Sequence, residues 1–170
     1  MELNKIYNQN GMGGHQSAKM KSDTWLTPPE IIKALGHFDL DPCTPEYMPW
    51  ETADNRFTER DNGLIQPWNG RVWLNPPYGL EAANWLYKLS RHGNGIALIF
   101  ARTETEMFFK YVWNKADSVL FIKSRLYFHL PDGTRAAANA GAPSCLIAYG
   151  KDNALCLQRC GIAGKYIQLK

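Results

Sequence analysis

The stretch "RVWLNPPYG", residues Arg71–Gly79, joins an apolar segment to a turn that contains two consecutive prolines. The apolar residues Val72, Trp73 and Leu74 predict a buried strand, and Asn75 lies at its carboxyl end. A residue that precedes a proline is restricted to extended geometry, so Pro76 constrains Asn75 and Pro77 constrains Pro76. The prolines also remove two backbone N–H donors, which leaves a rigid cluster of acceptor oxygens beside the Tyr78 ring. Such a cluster suits a flat group that presents an amine, and an aminated nucleobase is one.

Downstream of this stretch, helical and strand patterns alternate. "GLEAANWLYKLSRHG" predicts a helix closed by Gly93, "GIALIFA" a buried strand, and "TETEMFFKYVWNKA" a helix that begins with a capping box formed by Thr103 and Glu106. "SVLFIK", "LYFHL", "CLIAYG" and "KYIQL" predict further strands, and "PDGTRAAANAGAPS" predicts a loop. Alternation followed by strands in succession predicts an α/β sheet, parallel in its first part and antiparallel at its C-terminal end, flanked by helices.

Upstream, "TPPEIIKALGHF" predicts a helix with Thr27 as its cap, Pro28 at the first helical position and Glu30 completing a capping box. "FDLDPC" predicts a short strand in which the apolar residues face inward and the acids face the other side, namely Phe38 and Leu40 against Asp39 and Asp41. The following segment, residues 44–70, is punctuated by Pro, Asn and Gly and is predicted to be largely loop. A loop of that length in a compact domain is usually functional or disordered.

The bulk composition is that of an ordinary globular chain of 170 residues, with 45% hydrophobic and 21% charged residues. A net charge of +3 leans only mildly towards polyanionic partners, although six Trp, eight Tyr and seven Phe leave enough rings for a base-stacking surface. No apolar stretch approaches the roughly 20 residues of a membrane span, and the N-terminus has no signal-peptide pattern. We therefore expect no membrane partner and a cytoplasmic protein.

Residues 1–22 are polar, and we expect them to form a disordered arm in which Lys19 and Lys21 could settle on phosphates; residues 23–170 would form the single domain. Neither the cysteines nor the histidines have the spacing of a disulfide scaffold or a metal site, so free thiols and no metal are expected. The residues concerned are Cys43, Cys145, Cys156, Cys160, His15, His37, His92 and His129.

Several motifs occur in an order that resembles the small phage-type DNA N-6-adenine methyltransferases, which use S-adenosylmethionine. In sequence order they are "DTWLTPPEIIKAL", "FDLDPC", "DNGL", "WNGRVWLNPPYG", "ALIFARTET" and "APSCLIAYG", and together they cover roughly residues 23–150. The resemblance implies a Rossmann-like methyltransferase sheet. It also implies a bacterial host, with the gene carried by a phage or prophage, and a role of the kind found in restriction–modification.

In this family Asn-Pro-Pro-Tyr is the catalytic motif, so the resemblance assigns catalysis to Asn75, Pro76, Pro77 and Tyr78. The lone pair of the adenine amine is delocalised into the ring, which makes the nitrogen a poor nucleophile. Accepting its two N–H bonds at the Asn75 side-chain oxygen and the Pro76 carbonyl would free that lone pair. Tyr78 would stack on the base once it is flipped out of the duplex.

The resemblance also implies where the methyl donor binds. "DTWLTPP" would surround its methionine part, "DPC" would place Asp41 near its ammonium group, and "DNGL" would meet its adenine amine through Asp61. The implied cofactor residues are Trp25, Thr27, Pro28, Asp41, Pro42, Cys43, Asp61, Gly63, Leu64 and Asn75. This chain departs from the family pattern after "DPC", where "TPEYMPW" replaces a glycine-rich loop; Glu46 and Glu51 are the candidate acids for the ribose hydroxyls.

DNA is the implied partner, and the chain is too short for a separate recognition domain, so loops 44–70 and 124–143 would read the target. Tyr78, Arg102, Arg125 and Arg135 are the candidate nucleic-acid contacts. Two alternatives stay open at the level of sequence. The motif also occurs in enzymes that methylate RNA or protein glutamine, and the missing glycine loop would suit a catalytically silent module that binds nucleic acid or cofactor.

Overall fold

A computed structural model describes residues 24–170, and its elements form a single mixed α/β arrangement. The strands are β1 (Leu40–Asp41), β2 (Asn55–Arg56), β3 (Val72–Leu74), β4 (Gly95–Phe100), β5 (Ser118–Ile122), β6 (Ser144–Tyr149) and β7 (Gly164–Gln168). The helices are α1 (Pro29–Leu35), α2 (Ala82–His92), α3 (Glu106–Phe108), which continues as a π-helix over Phe109–Trp113, and α4 (Lys151–Arg159); a 3-10 helix covers Glu59–Asp61.

All seven strands belong to one sheet in the order β2-β1-β3-β4-β6-β5-β7. The first four in that order are parallel, while β6 pairs antiparallel with both β4 and β5, and β7 pairs antiparallel with β5. The predicted Rossmann-like sheet, parallel first and antiparallel towards the C-terminus, is therefore confirmed.

Both faces of the sheet are covered, which explains why β3 reads as an unbroken apolar run. On one face Val72 and Leu74 pack with the apolar stripe of α2, and on the other Trp73 packs with α1 and α4. All three β3 side chains are fully buried. The helices therefore leave the ends of the strands, rather than the faces, for contact with a ligand.

Two predicted helix caps are wrong by one or two residues. Helix α1 begins at Pro29, because Pro29 forces Pro28 into an extended conformation (φ −54°, ψ 131°), and neither Thr27 nor Glu30 forms a capping box. Helix α3 is capped by Thr105, whose hydroxyl accepts from the Phe108 N–H at 3.3 Å; the predicted cap was Thr103.

The segment "LYFHL" forms no strand of the sheet, contrary to the prediction. Its backbone pairs with neighbouring loops instead: His129 exchanges hydrogen bonds with Leu26 at 2.9 and 3.0 Å, and Phe128 accepts from Ala136 at 2.8 Å. A period of two predicts extended backbone, but it does not specify the partner of that backbone. Helix α4 was not predicted, since only Ala154 and Leu157 of its residues form a fully buried apolar stripe.

The predicted faces of "FDLDPC" are only partly correct. Phe38 and Leu40 are buried, but Asp41 is buried as well, with 3% of its surface exposed. Loop 44–70 is confirmed as largely irregular, apart from β2 and the 3-10 helix. None of the described helices is long and apolar enough to cross a membrane. The predicted arm, residues 1–22, lies outside the described residues.

Candidate active site

Three neighbouring strands have their carboxyl ends on the same side of the sheet, and the predicted site residues Asp41 and Asn75 lie there. β1 ends at Asp41, β3 is followed by Asn75, and β4 ends at Phe100. Because β1, β3 and β4 are adjacent and parallel, their carboxyl ends share this side. The fold thereby brings the "DPC" and "NPPY" segments side by side, although about 30 residues separate them in sequence.

The Asn75 side chain is oriented by a backbone carbonyl from the start of the described chain. Its Nδ2 donates to the Trp25 carbonyl oxygen at 3.1 Å, and this bond assigns the amide orientation. Oδ1 consequently faces the other way, where the Tyr78 hydroxyl approaches it at a long 3.4 Å. Pro76 is buried and Pro77 is exposed. The amide oxygen thus has a fixed direction and only a weak internal partner.

Tyr78 belongs to an aromatic cluster formed by Trp25, Tyr78, Phe100 and Phe128. Its ring stacks on Phe100 with centroids 4.1 Å apart and planes 6° apart, and meets Phe128 edge-on at 6.1 Å. Trp25 lies 6.4 Å from Phe128. Burial, and to a smaller degree the nearby Cys145, raises the pKa of Tyr78, so its hydroxyl stays protonated and acts as a donor. The cluster stands directly beside the Asn75 oxygen.

The Asp41 carboxylate is buried and held by two donors. The Thr52 hydroxyl donates to Oδ2 at 2.5 Å and the Cys43 N–H donates to Oδ1 at 3.1 Å. Burial raises the pKa of Asp41, while the Thr52 hydrogen bond is the largest effect in the opposite direction. Within residues 24–170 no Lys or Arg nitrogen lies within 4.0 Å of this carboxylate. A buried carboxylate that forms no ion pair is suited to a cationic ligand, and the more distant Arg56 guanidinium has the smallest effect on its pKa.

Gly63 brings the "DNGL" segment against "DPC". A Cβ on Gly63 would lie 2.0 Å from the Pro42 carbonyl oxygen, so only glycine permits this approach. Lys88 of α2 fixes the same segment from outside, because its ammonium donates to the Gly63 carbonyl at 3.2 Å and the Leu64 carbonyl at 2.7 Å. An open groove of about 470 Å³ borders Leu64 on the outer face of α2 and is separate from Asn75.

The remaining predicted cofactor residues differ in their surroundings. Asp61 is exposed and acts as a local cap, since its Oδ2 accepts from the Thr58 N–H at 2.7 Å and from the Thr58 hydroxyl at 3.0 Å. The Thr58 backbone bond, followed by the hydroxyl bond, lowers the pKa of Asp61. Thr27 and Pro28 are buried. Burial raises the pKa of the Cys43 thiol to about 12, so it is not a thiolate at neutral pH.

The two loops predicted to read DNA touch each other. The Trp50 ring meets the His129 ring edge-on at 5.3 Å, and the Gly133 backbone lies so close to Pro49 that an added Cβ would be 3.0 Å from Cγ.

Of the two candidate ribose acids, Glu46 forms an exposed ion pair with Arg60 at 3.3 Å, and Glu51 is exposed.

The three candidate arginines are exposed, but they are engaged in different ways. Arg125 donates to the Gly141 carbonyl at 3.1 Å, which orders its own loop. The Arg135 guanidinium lies 4.0 Å from the centre of the Tyr127 ring, and Arg102 follows the end of β4. Arg135 and Arg102 are therefore the more available for an external anion.

One group in the described chain has metal-ligand composition, and it lies away from this edge. His37, Asp39 and Asp54 place one ligand atom each within 4.8 Å of the others, before the amino ends of β1 and β2. His37 Nε2 and Asp54 Oδ2 are 2.8 Å apart, and Asp39 Oδ2 already accepts from the Arg71 N–H at 2.6 Å. The group is fully explained by these bonds, and we assign it no metal.

Sequence reasoning missed Thr52, Phe100 and Phe128 as members of the site. Phe100 carried a usable signal, because it ends a strand parallel to "RVWL" and so had to lie at the same edge. Phe128 and Thr52 belong to irregular segments, where no periodicity indicates which side chains turn inward.

Comparison with known proteins adds one finding. A family profile described as DNA N-6-adenine-methyltransferase (Dam) matches residues 14–154, which include every predicted site residue. No curated protein and no solved structure matches the chain.

Proposed function

The chain belongs to the DNA N-6-adenine-methyltransferase (Dam) family and is an enzyme, and from this premise we propose its methyl donor, its substrate form and its catalytic residues. The donor is S-adenosylmethionine, the substrate is adenine in double-stranded DNA, and the acceptor group is Asn75 with the Pro76 carbonyl. The observation that carries the proposal is the Asn75 amide, turned by the Trp25 carbonyl so that its oxygen faces the aromatic cluster.

The residues at the strand ends fit the proposed donor. Asp41 offers a buried carboxylate with no cationic partner among the described residues, which suits the ammonium of an amino acid. Pro42 and Gly63 form a closely packed backbone surface next to it. When bound, S-adenosylmethionine supplies an electrophilic methyl group on a sulfonium. The chain itself needs no covalent nucleophile, in keeping with the protonated, partly buried thiol of Cys43.

The Asn75 oxygen and the Pro76 carbonyl have one task, which is to accept the two N–H bonds of the adenine amine. This draws the nitrogen towards tetrahedral geometry and makes its lone pair available. Preorganised partners of this kind contribute roughly 2.7–4 kcal/mol each when tested by mutation. The Trp25 carbonyl supports that preorganisation, since it prevents the amide from presenting its NH₂ group to the base.

Tyr78 supplies a stacking surface for the flipped base. Phe100 supports one face of its ring, and the partly exposed remainder of the ring would meet the base. Extruding a base costs a few kcal/mol, and an aromatic contact offsets about 1–3 kcal/mol of it.

Loops 44–70 and 124–143 would read the DNA as one unit, because Trp50 and His129 hold them together. Arg102, Arg125 and Arg135 would contribute contacts to phosphates or bases. Residues 23–170 would act as a single domain, with the N-terminal arm, residues 1–22, as an optional addition. Action in the bacterial cytoplasm and a phage origin remain predictions from the resemblance.

The experiment is sequencing that detects N6-methyladenine in DNA from bacterial cells that lack adenine methylation and express this protein. We expect methylated adenines at a defined short motif, and none in cells that express Asn75→Ala at the same level. Unmethylated DNA, together with methyl transfer to RNA or protein in extracts supplied with labelled S-adenosylmethionine, would overturn the assigned substrate.

A further inference from the structure

We propose that the Thr52 hydroxyl is a positioning group, which holds the Asp41 carboxylate in the orientation that receives the ammonium of the methyl donor. The inference rests on the proposed function and adds a residue that no family motif in this chain contains. It assigns part of loop 44–70 to cofactor binding rather than to DNA.

The geometry fixes the carboxylate from both sides. Thr52 has 6% of its surface exposed and donates to Asp41 Oδ2 at 2.5 Å, while the Cys43 N–H donates to Oδ1 at 3.1 Å. A carboxylate offers about four acceptor positions, so two remain for an incoming ammonium. The Asp41 backbone is held by the Phe57 N–H, which donates to its carbonyl at 2.9 Å, so the bond to Thr52 acts on the orientation of the carboxylate itself.

Thr52 also favours the ionised form of the carboxylate. Burial raises the pKa of Asp41, and the opposing effects, in order of size, are Thr52, the Cys43 N–H, Thr44 and the guanidinium of Arg56. The other titratable group that faces Asp41 is the Cys43 thiol, which is neutral because its own pKa is about 12. Removing the Thr52 hydroxyl therefore moves the pKa of Asp41 further upward.

Thr44 provides a matched control in the same loop. It is similarly buried, with 4% of its surface exposed, and its hydroxyl donates to the Asp41 backbone carbonyl at 3.2 Å, so it lowers the pKa of the carboxyl less than Thr52 does. Thr44→Val and Thr52→Val remove the same group from neighbouring positions. A general effect of burying a valine in this loop would appear in both.

Calorimetry across pH 5.5–8.5 tests the proposal with two probes, S-adenosylhomocysteine, which carries the ammonium, and 5′-methylthioadenosine, which lacks the amino-acid part. For Thr52→Val we expect affinity for the first probe to fall about tenfold to a hundredfold at pH 6.5, since the lost bond is to a charged group. In a plot of S-adenosylhomocysteine affinity against pH, the loss of affinity on the acid side should begin at a higher pH for Thr52→Val than for wild type. Affinity for 5′-methylthioadenosine should change less than about twofold, and Thr52→Ser should restore the wild-type profile.

The outcomes distinguish failure of the positioning role of Thr52 from failure of the proposed methyl donor. Equal affinities and pH profiles for Thr52→Val and wild type overturn the positioning role alone. Equal losses for both probes, or in Thr44→Val, overturn it as well, since they indicate a structural effect. Failure of the wild-type protein to bind either S-adenosylhomocysteine or S-adenosylmethionine overturns the proposed donor and the inference together.

Discussion

At Asn75, one backbone carbonyl decides which end of a side-chain amide faces the substrate. The Trp25 oxygen accepts from Nδ2, so the acceptor oxygen is presented without any rearrangement. The sequence predicts the rigidity of this position through Pro76 and Pro77. It could not predict the Trp25 contact, because that residue lies 50 positions upstream and makes the contact with its backbone.

The ring and the hydroxyl of Tyr78 should have separable effects. The hydroxyl makes only a long bond of 3.4 Å to the Asn75 oxygen, whereas the ring lies parallel to Phe100 at 4.1 Å. We expect Tyr78→Phe to keep kcat/KM within about threefold and Tyr78→Ala to lower it by about tenfold or more, since stacking contributes about 1–3 kcal/mol per base. Steady-state methylation of a DNA duplex measures both. A large loss in Tyr78→Phe would show that the hydroxyl is needed.

Asp41 should lower the stability of the ligand-free protein at neutral pH. Burial raises its folded-state pKa above the unfolded value. Its contribution to the free energy of unfolding is therefore fully present below about pH 3.9 and is lost as pH rises through the folded pKa. The melting temperature of Asp41→Asn should therefore lie a few degrees above that of wild type at pH 7.5, since each kcal/mol of unfolding free energy shifts it by about 2–4 °C. The difference in melting temperature between the two proteins should close towards pH 4.

The control for this prediction is Asp61→Asn, because Thr58 lowers the pKa of that exposed carboxylate. Its melting temperature should fall slightly or stay the same at pH 7.5. Thermal unfolding of the three proteins without ligand decides the matter, and an Asp41→Asn protein that melts below wild type at pH 7.5 would refute the assigned cost of burial.

At the scale of elements, long strands and helices followed from periodicity, but their ends and the short elements did not. β4 and α2 lie where their patterns placed them, and Gly93 closes α2 with a φ of 75° as predicted. The cap of α1 was misplaced because two successive prolines move the boundary by one residue. β1 lies within the strand predicted for "FDLDPC", but β2 has only two exposed residues, which is too short for a periodic signal.

Gly63 tests the contact between two short segments of the site. Gly63→Ala would force a Cβ against the Pro42 carbonyl, and overpacking of this kind costs about 1–3 kcal/mol. We expect affinity for S-adenosylmethionine to fall at least about tenfold, because the displaced backbone borders Asp41.

The matched control is Gly164→Ala in β7, where a Cβ would lie 2.3 Å from the Phe121 carbonyl oxygen. It introduces a similar clash at the other edge of the sheet, so it should lower stability and leave cofactor affinity unchanged. Calorimetry and thermal unfolding of both variants give the comparison. Equal losses of affinity would mean that Gly63 affects binding only through general stability.

At the scale of the whole molecule, the mixture of parallel and antiparallel strand pairing was predictable, whereas the order of the strands and the contacts between surface loops were not. Alternating strands and helices followed by successive strands required a sheet with a parallel part and an antiparallel part, and this is the observed topology. The contact between the two recognition loops through Trp50 and His129 was not predictable, because it joins irregular segments about 80 residues apart.

The modest net charge of +3 predicts a weak dependence of DNA affinity on salt. If Arg102, Arg125 and Arg135 each neutralise one phosphate, log affinity should fall against log salt with a slope of about −2.7, and Arg135→Gln should reduce that slope by about 0.9. Arg91 is an exposed charge in the last turn of α2, which leads into the amino end of β4, so Arg91→Gln should leave the slope unchanged. Fluorescence anisotropy at several salt concentrations measures the slopes; equal slopes for Arg135→Gln and wild type would exclude a phosphate contact.

The most direct test of the catalytic assignment is the single-turnover rate of methyl transfer to a DNA duplex by Asn75→Ala, with S-adenosylmethionine affinity measured on the same preparation. We expect the rate to fall by about 10²–10³, the loss typical of one preorganised hydrogen-bonding partner, while affinity stays within a few-fold of wild type. A rate close to that of wild type, or a loss explained entirely by weaker cofactor binding, would contradict the role of the Asn75 oxygen.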